Sequence, residues 1–332
     1  AGEAKRYPMQ AIFKRGGYLV AIDSWTMDGG SGIDDFLVLI TSEGEVAVFQ
    51  GYDPSNVGAW ALTGLFYIGR PLSRRCFVKL GGDLGILTSQ GLFQISQALQ
   101  TADASDRLAI SDKIRNAWHT YIAQGRDEFG WEATVFPEGS FLLVNVPVKS
   151  IPEFNSQYSY QFVMNLTSGA WCRFVGMPAE TWCVHEGKLL FAQHNRILQA
   201  WEGSDDNLQP IDARVKTAFM YPSGRGNLTQ ITLLRPIFDA SSADVPVQLL
   251  VDSDFSQKEH QPAYLEYPQQ SSLWDEAVWD EAVWAGTSVL AQWRTVFHTP
   301  GKAVALRLRI LNQGATIIWN ATDFILKKGG MM

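Results

Sequence analysis

Cysteine is scarce. The 332 residues hold three, Cys76, Cys172 and Cys183, an odd and widely spaced set without a Cys-x-x-Cys pair. That excludes a disulfide framework and a zinc-finger spacing, so all three are expected to be reduced core residues. Histidine is nearly as rare, and His119, His185, His194, His260 and His298 form no metal spacing; Cys183-x-His185 alone is a weak zinc signal. No run of about 18 apolar residues exists to span a membrane, and nothing near the N-terminus resembles a signal peptide. Synthesis in a cytoplasm is expected, and the opening Ala1, where a Met would stand, points to processing or truncation. Positive charge is also short: 27 Lys and Arg against 34 Asp and Glu give a net charge of −7, which argues against general wrapping of nucleic acid. A Gly-rich phosphate loop, a Gly-x-Ser-x-Gly elbow and a His-Glu-x-x-His pair are all missing, so no cofactor, metal or catalytic residue is expected.

What the chain does have is 12 Trp and 29 Gly, which fit an all-β protein with many tight turns. Phe36 to Gly51 reads as two strands joined at Thr-Ser-Glu-Gly, because Gly44 supplies the positive φ such a turn needs. The phrase returns in Leu84 to Ile95, and 47 residues separate Thr41 from Thr88. A period of that size, with several short strands per unit, is in the range of propeller blades. Weaker echoes at Phe162 to Trp171 and Lys188 to Trp201 leave that register. The expectation is an all-β fold of β-propeller-like repeats over residues 1–203, a linker at Gly203 to Asn207, and a β-sandwich-like domain over 208–332.

Within the first domain Met9 to Phe13 reads as a strand with basic flanks, and Met27 to Asp35 as a solvated loop with only part of a calcium pattern. One helix is expected over residues 111–124, capped by Ser111 and ended by Gly125, with Ile114, Ala117, Trp118, Tyr121 and Ile122 on one face. Trp118 and Tyr121 are core residues or, if the helix faces a neighbouring subunit, interface candidates. Arg70, Arg74 and Arg75 form the clearest basic cluster, either salt-bridged to nearby acidic loops or free for a phosphate or partner.

The second domain is marked by longer strands. In Val304 to Ile310 the residues Val304, Leu306, Leu308 and Ile310 alternate with Ala305, Arg307 and Arg309, as one buried face requires. Inserted at 274–284 is a five-residue unit repeated without error, Trp274-Asp-Glu-Ala-Val-Trp279-Asp-Glu-Ala-Val-Trp284. Five matches neither the helical nor the strand period, since successive Trp would point about 140° apart on a helix and to opposite faces of a strand. Two roles stay open for Trp274, Trp279 and Trp284: an interface clamp, or packing on the chain's own sandwich.

Carboxylates converging from several blades would make a propeller glycosidase, and Asp35, Glu43, Asp83 and Asp106 are conceivable in that role, but nothing in their spacing selects them. The Thr-Ser-x-Gly turns lack the Asp of a sialidase-type Asp-box. Val38 to Gly51 with Asp53-Pro-Ser-Asn and Trp60-Ala-Leu, Ile68-Gly-Arg-Pro-Leu, Cys76 to Leu84, Asp112-Lys-Ile, Gln161 to Phe174 and the Trp repeat together resemble the tail hub, or nozzle, proteins of short-tailed bacteriophages and prophages. The resemblance spans about residues 16 to 330 and rests on structural motifs. It implies a virion tail component, not an enzyme, made in the host cytoplasm: a homo-oligomeric ring, usually a hexamer, below the portal and adaptor. Such a ring retains and conducts packaged DNA through an acidic lumen without sequence-specific binding. Family members carry further strands before the segment matching Gly16. The other class considered is a carbohydrate-binding or carbohydrate-cleaving propeller that recognises a host surface through exposed Trp.

Overall fold

The computed structural model describes residues 7–28, 33–56, 58–100, 109–147, 160–193, 195–241, 246–256, 288–296 and 300–331. The chain divides into two compact units, Ala1–Trp201 and Glu202–Met332.

The first unit is a series of small antiparallel meanders. Strands β1 (Leu19–Asp28), β2 (Ile33–Thr41), β3 (Glu45–Gly51) and β4 (Trp60–Tyr67) form one sheet in chain order. A second holds β5 (Phe77–Leu80), β6 (Asp83–Thr88) and β7 (Gly91–Gln94), followed by helix α1 (Ile95–Gln100). After helix α2 (Arg115–Gly125) comes a third sheet of β8 (Glu132–Phe136), β9 (Phe141–Val146), β10 (Tyr160–Asn165) and β11 (Trp171–Val175). The fourth is β12 (Thr181–His185), β13 (Lys188–Gln193) and β14 (Arg196–Ala200). Each sheet packs a face on the next, as the blades of a propeller do.

Strand alternation explains the packing. In β2, Val38 and Ile40 face the second sheet, while Leu39 turns to the opposite side with Ala47 and Phe49. That opposite side is covered by Met9, Ile12 and Phe13. These residues form a turn, not the expected strand, with Ile12 N–H donating to the Met9 carbonyl at 3.0 Å. Their i, i+3, i+4 spacing places all three on one face, which a strand would split. The flanking Lys14 and Arg15 donate their backbone N–H groups to the buried Glu45 carboxylate at 3.2 and 2.6 Å. In β9, Leu142, Val144 and Val146 face the second sheet, and Phe141, Leu143 and Asn145 face the fourth. The continuous apolar runs in β2 and β9 are therefore strands buried on both sides.

The repeated Thr-Ser-x-Gly phrase has a local cause. The Thr41 hydroxyl accepts the Glu45 N–H at 3.1 Å, and the Thr88 hydroxyl accepts the Gln90 N–H at 3.2 Å and donates to the Gly91 carbonyl at 2.9 Å. Both threonines are buried, so each hydroxyl satisfies backbone groups at a hairpin turn that water cannot reach. Gly44 has φ +84°, and a Cβ there would stand 2.3 Å from the Gly69 carbonyl oxygen. Glycine is required there on both counts.

The expected helix over 111–124 is present with a different start. Residues Ile110–Ile114 form a 3-10 turn, and α2 begins at Arg115. Ser111 does not cap it; the hydroxyl is buried and accepts the Leu92 N–H at 3.1 Å, satisfying the start of β7 instead. Helix α1 was not anticipated. The cysteines need a second correction: Cys76 is buried, whereas Cys172 and Cys183 are exposed. Cys183 sits on the outward side of β12, beside the inward Trp182. Burial pushes the Cys76 thiol up to about 12. Partial burial also raises the Cys172 thiol, so a thiol reagent at neutral pH should label Cys183 fastest, Cys172 more slowly and Cys76 only after denaturation. Labelling of Cys76 in the folded protein would contradict this packing.

The second unit is a sandwich. Strands β15 (Ile211–Lys216), β16 (Asn227–Ala240), β17 (Val247–Ser253), β18 (Ser288–Ala291), β19 (Arg294–Thr295), β20 (Val304–Asn312) and β21 (Ile317–Met331) form two sheets. One has the order β15-β20-β17; in the other β16 pairs with β21, β18 and β19. Val304, Leu306, Leu308 and Ile310 of β20 meet Ile231, Leu234 and Phe238 of β16 in one core, as the alternation requires. Arg307 and Arg309 turn the other way, to Asp252 and Asp212 respectively. Hydrogen bonds from Arg214 and then Arg309 hold the Asp212 carboxyl well below the usual carboxylate range, against the opposing effect of partial burial.

Candidate functional site

The arginine cluster is dispersed by its connector. Ile68 donates its N–H to the Gly44 carbonyl, Leu72 to Leu87, and Ser89 to Arg70, which ties residues 68–72 to the β2–β3 turn and the β6–β7 hairpin. From this anchored segment Arg70 pairs with Glu43 at 2.7 Å. Arg75 pairs with Glu132 at 2.9 Å, donates to the Thr181 hydroxyl, and lies 5.1 Å from the centroid of the exposed Phe129 ring. Arg74 is exposed, and among the described residues no carboxylate pairs with it. Two of the three arginines thus make the salt bridges considered from sequence, and Arg74 makes none among the described residues.

Arg74 lines a cleft of about 450 Å³, together with Arg70, Glu43, Tyr18, Arg126 and Asp127. These come from the start of β1, the β2–β3 turn, the connector after β4, and the segment after α2. Arg126 is half-buried and, like Arg74, has no carboxylate partner among the described residues. The Tyr18 ring is 70% exposed. Sequence reasoning missed Tyr18, Arg126 and Asp127 as site residues because no spacing links them; only the fold brings them to Arg74.

The other expected sites separate. Trp118 is 1% exposed and donates its indole N–H to the Thr88 carbonyl at 3.3 Å, with its ring stacked on Phe162. It is a core residue with no surface to offer a partner. Tyr121 is half-buried against Tyr160 and Phe162, and its hydroxyl accepts from Arg173 at 2.8 Å. Trp274, Trp279 and Trp284 lie outside the described residues, as does Asp106. Asp35 lies near the start of β2 and Glu43 in the turn after it, and the extended strand from Asp35 to Thr41 alone spans roughly 20 Å. A glycosidase pair needs less than about 10 Å. Asp83 instead accepts from the Ser96 hydroxyl and from the Leu84 N–H at 2.8 Å, fixing the turn into α1. Among the described residues no group of three or more His, Cys, Asp and Glu is placed to hold a metal ion, and no helix is long and apolar enough to cross a membrane.

A second exposed feature is the end of the fourth sheet. In β14 Ile197 is 75% exposed and Leu198 is also exposed, and the following Trp201 is 59% exposed while stacking on Phe174. Among the described residues β14 pairs with β13 alone, and no strand pairs its other edge.

The fold defines an all-β protein with propeller-like sheets and a sandwich. No protein-family model matches the chain, and no curated protein does. Among solved structures it is similar to a glycoside hydrolase family 43 arabinoxylan arabinofuranohydrolase from Bacillus subtilis in complex with cellotetraose. The identity is 9% and the TM-score 0.28, over 92% of this chain and 79% of that chain.

Proposed function

We propose that the chain is a structural subunit of a bacteriophage tail hub, assembling with copies of itself into a ring below the portal and adaptor. The ring retains packaged DNA and conducts it at ejection. The observation that carries this reading is the open end of the fourth sheet. The outer face of the first sheet is covered by the chain's own residues 9–13, whereas β14 exposes Ile197 and Leu198, with Trp201 just beyond it, beside an edge that no strand pairs among the described residues. An open edge flanked by apolar side chains is a surface that another chain can extend or cover. The ordered motifs from Val38 to Phe174 support the assignment to tail hubs, and the net charge of −7 suits a lumen that does not grip DNA.

The test is native mass by light scattering over a range of concentrations, for the wild type and for Ile197→Lys. The wild type should form a closed species of defined stoichiometry. The variant should be smaller in mass yet keep its stability within about 0.5 kcal/mol, because an exposed side chain contributes little to folding. A wild type that is monomeric at every concentration, or a variant that assembles unchanged, would reject β14 as the contact.

A further inference from the structure

We propose that the cleft beside Arg74 binds an acidic saccharide, with Arg74 and Arg126 holding a sugar carboxylate. The inference stands apart from the ring assembly: a monomeric chain that bound such a sugar would retain it.

Charge comes first. Arg70 and Glu43 neutralise each other across 2.7 Å, while Arg74 and Arg126 face only one further lining carboxylate, Asp127, to which neither is paired. Counting the ionised lining side chains, three arginines against two carboxylates leave one net positive charge, which suits a monoanion. A guanidinium binds a carboxylate through two parallel N–H donors, a geometry that favours this anion over a point charge.

The carboxylates then choose among anions. Glu43 and Asp127 would repel a phosphate dianion held by the same arginines. A uronate instead carries its charge at one end and several hydroxyls elsewhere, and hydroxyls donate well to carboxylate oxygens. The exposed Tyr18 ring supplies an apolar face with a polar tip, which the C–H face of a sugar ring can cover. At about 450 Å³ the space falls within the range of small-molecule sites. The cleft is also held by structure: the connector is anchored at Ile68, Leu72 and the Arg70 carbonyl, so Arg74 projects from fixed backbone.

The experiment is calorimetric titration of the full chain with a disaccharide of galacturonic acid, its neutral galactose counterpart and inorganic phosphate. The uronate should bind, and the other two at least about tenfold more weakly. Arg74→Ala should weaken uronate binding by about tenfold or more with an unchanged melting temperature, since Arg74 is exposed and pairs with no carboxylate among the described residues. Tyr18→Ala should weaken the uronate and its neutral counterpart by the same factor. Equal affinity for the neutral disaccharide would overturn the role of the arginines. Tighter binding of phosphate would overturn the choice of a sugar acid, and no uronate binding would overturn the site.

Discussion

Replacing Asn145 by Leu should destabilise the first unit more than any exposed change discussed above, by about 3 to 5 kcal/mol from summing the orphaned groups. Asn145 is fully buried on β9 and uses its whole hydrogen-bonding capacity. Its Nδ2 donates to the Gly130 carbonyl at 2.8 Å and the Ala179 carbonyl at 3.0 Å, and its Oδ1 accepts from Gln161 Nε2 at 2.9 Å and Trp182 Nε1 at 3.0 Å. Two donors and two lone pairs are all a carboxamide has. Leu is similar in size, so the loss is not chiefly a cavity. The Gly130 carbonyl and the Trp182 indole N–H would be left without these partners in a region sealed between the third and fourth sheets, the Ala179 carbonyl would lose this one bond, and Gln161 would keep its bond to the Met177 carbonyl at 3.0 Å. Each such orphan costs about 1 to 3 kcal/mol, partly relieved by local relaxation.

Denaturant unfolding followed by the near-ultraviolet signal of the buried tryptophans would measure this. Trp182 lies in the network, so its signal should be lost first. A midpoint unchanged from the wild type would mean that the bonds are replaceable by water and that apolar packing of Phe141, Leu143 and Phe191 joins the sheets alone. Asn145→Asp should cost at least as much as the Leu change, because it keeps both acceptor contacts but loses both donors and buries a charge whose second oxygen faces two carbonyls.

How much of this was legible in sequence differs by residue. The hairpins at Thr41 and Thr88 were, because glycine conformation and strand alternation are local. Val304 to Ile310 was legible for the same reason. The start of α2 was misplaced because Ser111 has two uses for its hydroxyl, and the tertiary one, the Leu92 N–H, outcompetes the cap. Met9 to Phe13 was misjudged because a short apolar run does not declare its period. The cysteines illustrate alternation again: Trp182 and Cys183 are adjacent, and one must face in if the other faces out. The cleft was hardly legible at all. Arg74 was visible as one of a cluster, but its separation from Arg70 and Arg75 depends on where Glu43 and Glu132 fall, and these lie 31 residues before and 58 after it in the chain.

Asp252→Ala should strongly destabilise the second unit. Asp252 of β17 is 3% exposed and serves two cations: Lys216 of β15 at 2.8 Å and Arg307 of β20 at 3.1 Å. The register explains the arrangement. Arg307 stands opposite Lys216 on one side and Leu250 on the other, so Asp252 is its diagonal neighbour, two residues along β17. Without the carboxylate, two positive side chains face each other across adjacent strands, each about a quarter exposed at 27%. Removing one partner of a buried pair typically costs about 3 to 5 kcal/mol, and the partial access of water to both cations brings the expectation to about 2 to 4. Asp252→Asn should recover the steric fit and some hydrogen bonding but not the charge, and so fall between Ala and the wild type. The contrast is Asp212, whose side chain is 30% exposed and pairs with Arg214 and Arg309. Asp212→Asn should cost no more than about 1 kcal/mol, as for other pairs open to solvent. Urea unfolding of the full chain compares all three variants. If Asp252→Ala matched Asp212→Asn, the Asp252 carboxylate would have to be as well hydrated as an exposed one, and the tight β15-β20-β17 register would be wrong at that point.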